Sequence, residues 1–436
     1  MSSKSPAFTF VDLFAGIGGF HAALSALGGE CVHASEIDEA AAQIYQHNWD
    51  MSVAGDIVPA TTDRMDVPPH DVLAAGFPCQ PFSKSGFQRG MDEARGTLFW
   101  NICRILEERR PSIVLLENVR NIAGPRHAHE LDVIIRSLRE LGYQVSSTPA
   151  VFSPHLLAPW LGGRPQIRER VFIVGTYVGT EHSFDEVKPI VTNKPVAGWN
   201  PQDWSLADDV LQPENEIVDR ANYDLTMAEQ YWIHVWSEFV RRLRQAGVDK
   251  LPGFPVWVDE FVHVDELCIP PDAPSWKANF LRKNSAFYTL HKKVLDRWLK
   301  DFDGLRDLPP SRRKFEWQAQ DAASLEDCIM HFRPSGVRVK KPTYVPALVA
   351  ITQTTILGKP LRRITPREAA RLQGLPDSFE FLGQADALTY KQLGNGVNVG
   401  VAYHVLRSQL ARSGDPWEGL MASTPPSADD AFAALS

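Results

Sequence analysis

Phe8-Thr9-Phe10-Val11-Asp12-Leu13-Phe14-Ala15-Gly16-Ile17-Gly18-Gly19-Phe20 is the stretch that decides the fold class. A β-rich apolar run breaks at a glycine turn, and an amphipathic segment follows to about Leu27, where Gly28-Gly29 stops it. Three more short apolar runs come after it. Cys31–Ser35 ends at Glu36, Asp71–Ala75 ends at Gly76, and Ser112–Leu116 ends at Glu117. Runs without polar alternation suit parallel strands covered on both faces. Strand alternating with helix predicts a doubly wound α/β sheet, whose sites lie at the carboxyl ends of its strands. Glu36, Gly76 and Glu117 stand at those ends.

After Gly175 the texture changes, with prolines, tryptophans and short irregular segments to about Pro360. One helix stands out there: Thr226-Met227-Ala228-Glu229 is a capping box opening a run that stops at Gly247. Helical patterning returns from Ile364 to Leu410. These shifts predict a catalytic domain over 1–175, a smaller inserted domain over 176–360 and a return segment over 361–412. Residues 413–436, rich in Ser, Ala, Pro and Asp, are expected to be a poorly ordered tail. No internal repeat is evident.

The 436 residues are 44% hydrophobic and 22% charged, values ordinary for a soluble globular chain, and no apolar run is long enough to span a membrane. The N-terminus lacks a signal-peptide core, so a cytoplasmic protein is expected. A net charge of −8 looks wrong for a nucleic-acid partner until it is mapped. Trp276–Lys341 holds 15 Lys and Arg against 8 Asp and Glu, a local +7 that leaves −15 for the rest. Ser311-Arg312-Arg313-Lys314 and Arg338-Val339-Lys340-Lys341 are compact basic knots beside aromatics. A solvated face explains such runs as readily as a nucleic-acid footprint does.

Five cysteines, at 31, 79, 103, 268 and 328, lack paired spacing, which argues against a disulfide framework and against a zinc site. Cys79 differs from an ordinary buried thiol by its context, Gly76-Phe77-Pro78-Cys79-Gln80-Pro81-Phe82-Ser83. Two prolines and a glycine make a loop directly after a buried run, which displays the thiol at the sheet's catalytic edge. Thiolate there needs positive charge nearby, and Arg168 and Arg170 are candidates. The glycine turn alone is a weak signal, because such turns also bind dinucleotides or nothing.

Together with seven further motifs in order, the Pro-Cys-Gln loop resembles the cytosine-C5 DNA methyltransferase family, in particular the bacterial type II restriction-modification methylases. The matching stretches are Asp12–Phe20, Glu36-Ile37-Asp38, Gly55-Asp56-Ile57, Glu117-Asn118-Val119, Gln166–Arg170, Arg363–Gly374 and Gly394-Asn395-Gly396-Val397. They cover roughly 7–175 and 361–405, while the middle carries no such signature. The resemblance implies a Rossmann-like S-adenosylmethionine-dependent methyltransferase sheet with an inserted target-recognition domain, working without a metal as a monomer on double-stranded DNA. Its functional partner is a restriction endonuclease, with no physical contact needed. S-adenosylhomocysteine is the implied product.

By the same resemblance Cys79 is the nucleophile on carbon 6 of cytosine, and Glu117 holds ring nitrogen 3 and the exocyclic amine. Arg168 and Arg170, two apart in an extended segment, point the same way into the site. Phe14, Gly16, Gly18, Gly19, Glu36, Ile37, Asp56, Ile57, Asn395 and Val397 form the cofactor site, with Glu36 on the ribose and Asp56 on the adenine amine. Gln80, Ser83, Ser85 and Arg95 face DNA from a loop over about 78–97. The rival readings are a transfer-RNA methyltransferase of the same family, a catalytically silent DNA-binding module, and a nicotinamide-dependent oxidoreductase. The roughly 170-residue insertion favours DNA over the first. The presence of Cys79, Glu117 and Arg168 counts against the second, and the Pro-Cys-Gln loop against the third.

Overall fold

The computed structural model describes residues 6–62, 64–78, 97–190, 199–348, 354–414 and 417–435. By contact the chain divides into two compact units, the first Met1–Trp204, Pro346–Ile351 and Pro366–Ser436, the second Ser205–Val345 and Thr352–Thr365.

The first unit is built on a seven-stranded sheet. Its strands are β1 (Phe8–Leu13), β2 (Gly29–Ser35), β3 (Val72–Ala75), β4 (Ile113–Val119), β5 (Tyr143–Val145), β6 (Ala150–Phe152) and β7 (Arg170–Tyr177). They run in the order β2-β1-β3-β4-β7-β5, with β6 also on β7. The first four pair in parallel, and β7 joins β4 antiparallel. The continuous apolar runs are the central strands, and their Val11, Leu13, Leu73, Ala75, Val114 and Leu116 are all buried. Full burial of such a side chain contributes about 1.5–3 kcal/mol. The chain steps from β1 to β2 on one side and to β3 on the other. That reversal opens a crevice at the carboxyl ends.

Helices α1 (Gly19–Ala26), α2 (Glu39–Trp49), α3 (Ile57–Thr62), α4 (Leu98–Arg109) and α5 (Ala128–Glu140) connect these strands. Two later helices of the return segment, α8 (Pro366–Gln373) and α9 (Asp386–Asn395), precede α10 (Val399–Leu410), which packs against α1 and β7. Asn398 caps α10, accepting from the Val401 N–H at 3.0 Å, and its amide donates to the Leu372 carbonyl.

Two boundaries differ from the expectation. The composition changes at Gly175, but residues up to Trp204 belong to the first unit. There Arg139 pairs with Glu186, and the Trp204 indole donates to the His155 carbonyl at 3.0 Å. The end expected to be a poorly ordered tail instead forms α11 (Trp417–Ser423) and α12 (Ala428–Leu435), which pack on α10. Mean composition misled here because the few apolar side chains share one side. Trp417 meets the Phe8 ring edge-on at 5.8 Å, Ala428 and Ala431 are buried, and Asp429 pairs with Arg164.

The second unit carries a six-stranded sheet, made of β8 (Val256–Trp257), β9 (Lys314–Gln318), β10 (Ile329–Arg333), β11 (Gly336–Lys340), β12 (Ile356–Leu357) and β13 (Arg362–Arg363). The order is β13-β12-β10-β11-β9-β8. Helices α6 (Met227–Gln245) and α7 (Ser275–Asp301) share a core with one sheet face, where Trp236 stacks on Phe315 at 4.4 Å and Trp298 is fully buried. The capping box read from Thr226 and Glu229 is present. No helix among the described residues is long and apolar enough to cross a membrane.

Candidate active site

A cleft of about 430 Å³ opens at the carboxyl ends of β1, β2, β3 and β4, wholly within the first unit. The glycine turn forms its floor, and local sterics explain each residue there. Phe14, at the end of β1, takes a left-handed φ of 57°. For a side chain this size that is strain of about 1–3 kcal/mol, which the surrounding packing must hold. Gly18 also has a positive φ, and a Cβ there would fall 2.0 Å from the Trp49 indole nitrogen. At Gly19 a Cβ would lie 2.6 Å from the Val397 carbonyl oxygen and 2.8 Å from its Cγ1. Bare backbone at Gly19 thus admits the last motif against the first turn. Gly16 faces open space.

Glu36 ends β2 in the cleft wall, with Oε2 accepting from the Gly16 N–H and Oε1 from the Asp38 N–H, both at 2.8 Å. Asp38 caps α2 through the Ala40 and Ala41 N–H groups and also lines the cleft. Lys391, from α9, reaches Asp38 at 3.5 Å. The strap Ala54-Gly55-Asp56 runs beside the end of β2: Glu36 N–H donates to Ala54 and the Ser35 hydroxyl to Gly55. Asp56 is exposed and accepts from the Val58 N–H at 2.9 Å.

At the other end of the cleft stands Glu117, near the end of β4. The Arg170 Nε, on the antiparallel neighbour β7, lies 2.9 Å from its Oε1, and both side chains are largely buried. Burial raises the Glu117 carboxyl above its ordinary value, although Arg170 and then Arg168 pull it down. Desolvation therefore outweighs the two cations. Asn118 follows, and its amide donates to the Phe77 carbonyl at 3.0 Å. That bond fixes the segment Gly76-Phe77-Pro78, which completes the wall.

The cleft gathers Phe14, Gly16, Gly19, Glu36, Glu117, Arg170, Asn395 and Val397 of the residues read from sequence. Cys79, Gln80, Ser83, Ser85 and Arg95 lie outside the described residues. Gly18 supports the turn from behind, against Trp49. Ile37 is 74% exposed beside Glu36 and is not part of the wall. Ile57 was placed with the cofactor residues, but its side chain is buried in the core, because it opens α3 and α3 packs on α4.

Arg168 also departs from its expected place. It is 1% exposed and outside the cleft wall. Its Nη2 donates to the Gly394 and Gly396 carbonyls at 3.0 and 2.7 Å, flanking Asn395, and its Nη1 to Leu348 at 3.4 Å. The two arginines take different partners although both charges act on Glu117, and β7 begins only at Arg170. The two-residue repeat of side-chain direction holds along a continuous strand, and residues 168–169 are not one. Burial pulls the Arg168 guanidinium down to about 9, which leaves it charged at neutral pH.

Asp38, Phe20, Phe77, Pro78, Asn118, Lys391 and Gln392 line the cleft without having been singled out. Asp38 and Asn118 stand inside motifs already read, so adjacency was the available signal. For Lys391 the fold alone supplies the proximity. Among the other cysteines, burial pushes Cys31 and Cys328 up to about 12 and raises Cys103 as well. Among the described residues, no group of three His, Cys, Asp or Glu could hold a metal.

The family model for C-5 cytosine-specific DNA methylases matches residues 8–410. A type II methyltransferase of Cellulosimicrobium cellulans, M.AluI, is 45% identical over 94% of each chain. M.BanI of Aneurinibacillus aneurinilyticus is 32% identical over 91% of this chain and 94% of its own. M.NlaX of Neisseria lactamica is 31% identical over 90% and 93%. With a match that spans both the cleft and the second unit, the chain belongs to the C-5 cytosine-specific DNA methylase family and is a DNA cytosine methyltransferase.

Proposed function

We propose that the protein transfers a methyl group from S-adenosylmethionine to carbon 5 of an everted cytosine in a short specific duplex site, through a covalent bond from Cys79. The observation that carries this reading is Glu117, a buried carboxyl with a raised pKa, in the same cleft as the glycine turn and Pro78. Cys79 is the next residue in sequence after Pro78. The raised thiols of Cys31, Cys103 and Cys328 suit none of them to nucleophilic attack.

Carbon 5 of cytosine is a poor nucleophile. Addition of the Cys79 sulfur to carbon 6 moves electron density to carbon 5, provided that ring nitrogen 3 takes a proton or a hydrogen bond. Glu117 supplies that proton, and Arg170 holds its carboxylate in place and faces the pyrimidine oxygen. The donor supplies an electrophilic methyl on a sulfonium. As the carbon–carbon bond forms, the sulfur–methyl bond of the donor would break; the carbon 5 proton passes to solvent water, ring nitrogen 3 returns its proton to Glu117, and the thiolate is eliminated. A base inside a duplex cannot reach such a cleft, so the cytosine is extruded into it.

The cleft fits the donor at its glycine end. Gly16 leaves room for close approach, the Glu36 carboxylate stands at a strand end where a ribose diol binds, and exposed Ile37 offers an apolar shelf for adenine. Asp56, exposed apart from its bond with the Val58 N–H, takes the adenine amine, and Arg168 acts indirectly by holding the end of α9 that carries Asn395. The second unit recognises the target sequence. The enzyme works as a monomer in the cytoplasm, and its methyl marks protect host DNA from a cognate restriction endonuclease.

The decisive experiment follows labelled methyl from S-adenosylmethionine into nucleic acid. Label is expected in duplex DNA as 5-methylcytosine at one sequence, located by bisulfite sequencing; label in transfer RNA alone would refute the proposal. Glu36→Ala tests the cofactor end. The dissociation constant for S-adenosylmethionine should rise roughly tenfold or more, as expected on losing a charged hydrogen-bond acceptor worth about 1.5–3 kcal/mol. Unchanged affinity by calorimetry would remove Glu36 from the ribose site.

A further inference from the structure

The basic window of the second unit is not one uniform patch, because the sheet sorts its charges. Side chains alternate along a strand, so residues two apart share a face. Phe315, Trp317, Met330, Phe332, Val337 and Val339 face the α6 and α7 core. The alternate positions occupy the opposite face, where Ile329 and His331 are buried and Lys314, Glu316, Arg333, Arg338 and Lys340 are partly exposed. Register brings them together: Arg338 on β11 lies between Glu316 on β9 and His331 on β10, and Arg333 is opposite Gly336.

Several cations of the window are compensated inside the unit. Arg312 lies between the Trp232 and Phe332 rings at 5.1 and 4.9 Å. Arg313 pairs with Asp259, Lys292 with Asp296, and Lys341 with Asp321. On the opposite face the balance is different. Arg338 shares Glu316 at 2.7 Å, and Arg333 and Lys340 make no ion pair among the described residues. On β9, β10 and β11 four partly exposed cations, with Lys314 over the Trp257 ring, therefore stand together with the single carboxylate of Glu316.

We propose that the partly exposed, basic part of this face is a contact surface for duplex DNA, with Arg333, Arg338 and Lys340 holding phosphates. The proposal rests on the reading that the second unit engages DNA and adds which face does so. Like charges packed side by side repel one another, and a polyanion of regular charge spacing relieves that repulsion. Burial and the neighbouring Arg338 charge pull both Lys340 and Arg333 below their ordinary values. Burial, with the same three cations, drives His331 down to about 3, so it stays neutral and adds no charge of its own. Phosphate contacts of this kind set register and strength, while base edges carry the sequence.

The test is equilibrium binding of the full chain carrying both Arg333→Gln and Lys340→Gln, to the target duplex and to a scrambled duplex, between 50 and 200 mM salt. Both affinities should fall by a similar factor, and the slope of log K against log salt should drop by about 1.8, about 0.9 per lost phosphate contact. S-adenosylmethionine affinity should stay unchanged. Unaltered affinity and slope in a variant that still binds S-adenosylmethionine would overturn the proposal. So would a loss confined to the target duplex, which marks base reading. If the double variant fails to fold, Lys340→Gln alone should lower the slope by about 0.9, and Lys340→Arg should restore it. A wild-type chain that methylates no duplex DNA defeats the underlying reading instead, and that outcome is scored separately.

Discussion

Cys79→Ser is expected to abolish methyl transfer while leaving S-adenosylmethionine binding close to wild type. A thiol with a pKa of about 8.5 is readily brought to thiolate by nearby positive charge, whereas a serine hydroxyl stays protonated near neutral pH. Without an anion to add at carbon 6, carbon 5 keeps too little electron density to attack the methyl group. The donor is proposed to bind at Phe14, Gly16, Glu36 and Val397, which line the cleft and which the substitution leaves unaltered in sequence. Turnover measured with labelled donor, alongside calorimetry of donor binding, separates the two effects. Substantial residual turnover would show that no sulfur adduct is required.

The second large effect concerns the carboxyl that must carry a proton. Glu117→Gln keeps the shape of the side chain and can still donate a hydrogen bond, but it cannot deliver a proton to ring nitrogen 3. It also leaves Arg170 buried without its counter-charge. A fall in kcat of about 10²–10⁴-fold is expected, the range for loss of a positioned general acid. The pH dependence follows from the direction of the shift. Burial raises the Glu117 pKa, so the protonated form persists to higher pH than for an exposed glutamate. Activity should fall as pH rises through that raised value, and the falling limb should disappear in the glutamine variant. A wild-type profile retained by Glu117→Gln would assign the limb to another group.

How far the sequence carried can be judged from particular residues. The apolar runs ending at Glu36, Gly76 and Glu117 were readable because a buried parallel strand needs no polar partner along its length. The glycine turn at Gly16–Gly19 was readable as a break after the first strand, yet the reason for Gly19 lies 378 residues away in Val397, which no local rule connects to it. Arg168 and Arg170 show the limit most clearly. Spacing placed them together, and the late start of β7 sends one to the cleft and the other to two glycine carbonyls. Ile57 looked like a cofactor contact from its motif, but its apolar side chain is buried in the core. The apolar residues of 417–431 were too few to outweigh a polar average until α10 supplied a surface for them.

Local chain chemistry thus settled the α/β class, the glycine turn and the acidic strand ends, because hydrophobic period and backbone constraint act over a few residues at a time. Long-range packing decided which charged side chains meet. It put Arg170 on Glu117, Arg168 on the carbonyls either side of Asn395, and four cations on one face of a separate sheet, since burial and register are properties of segments far apart in the chain.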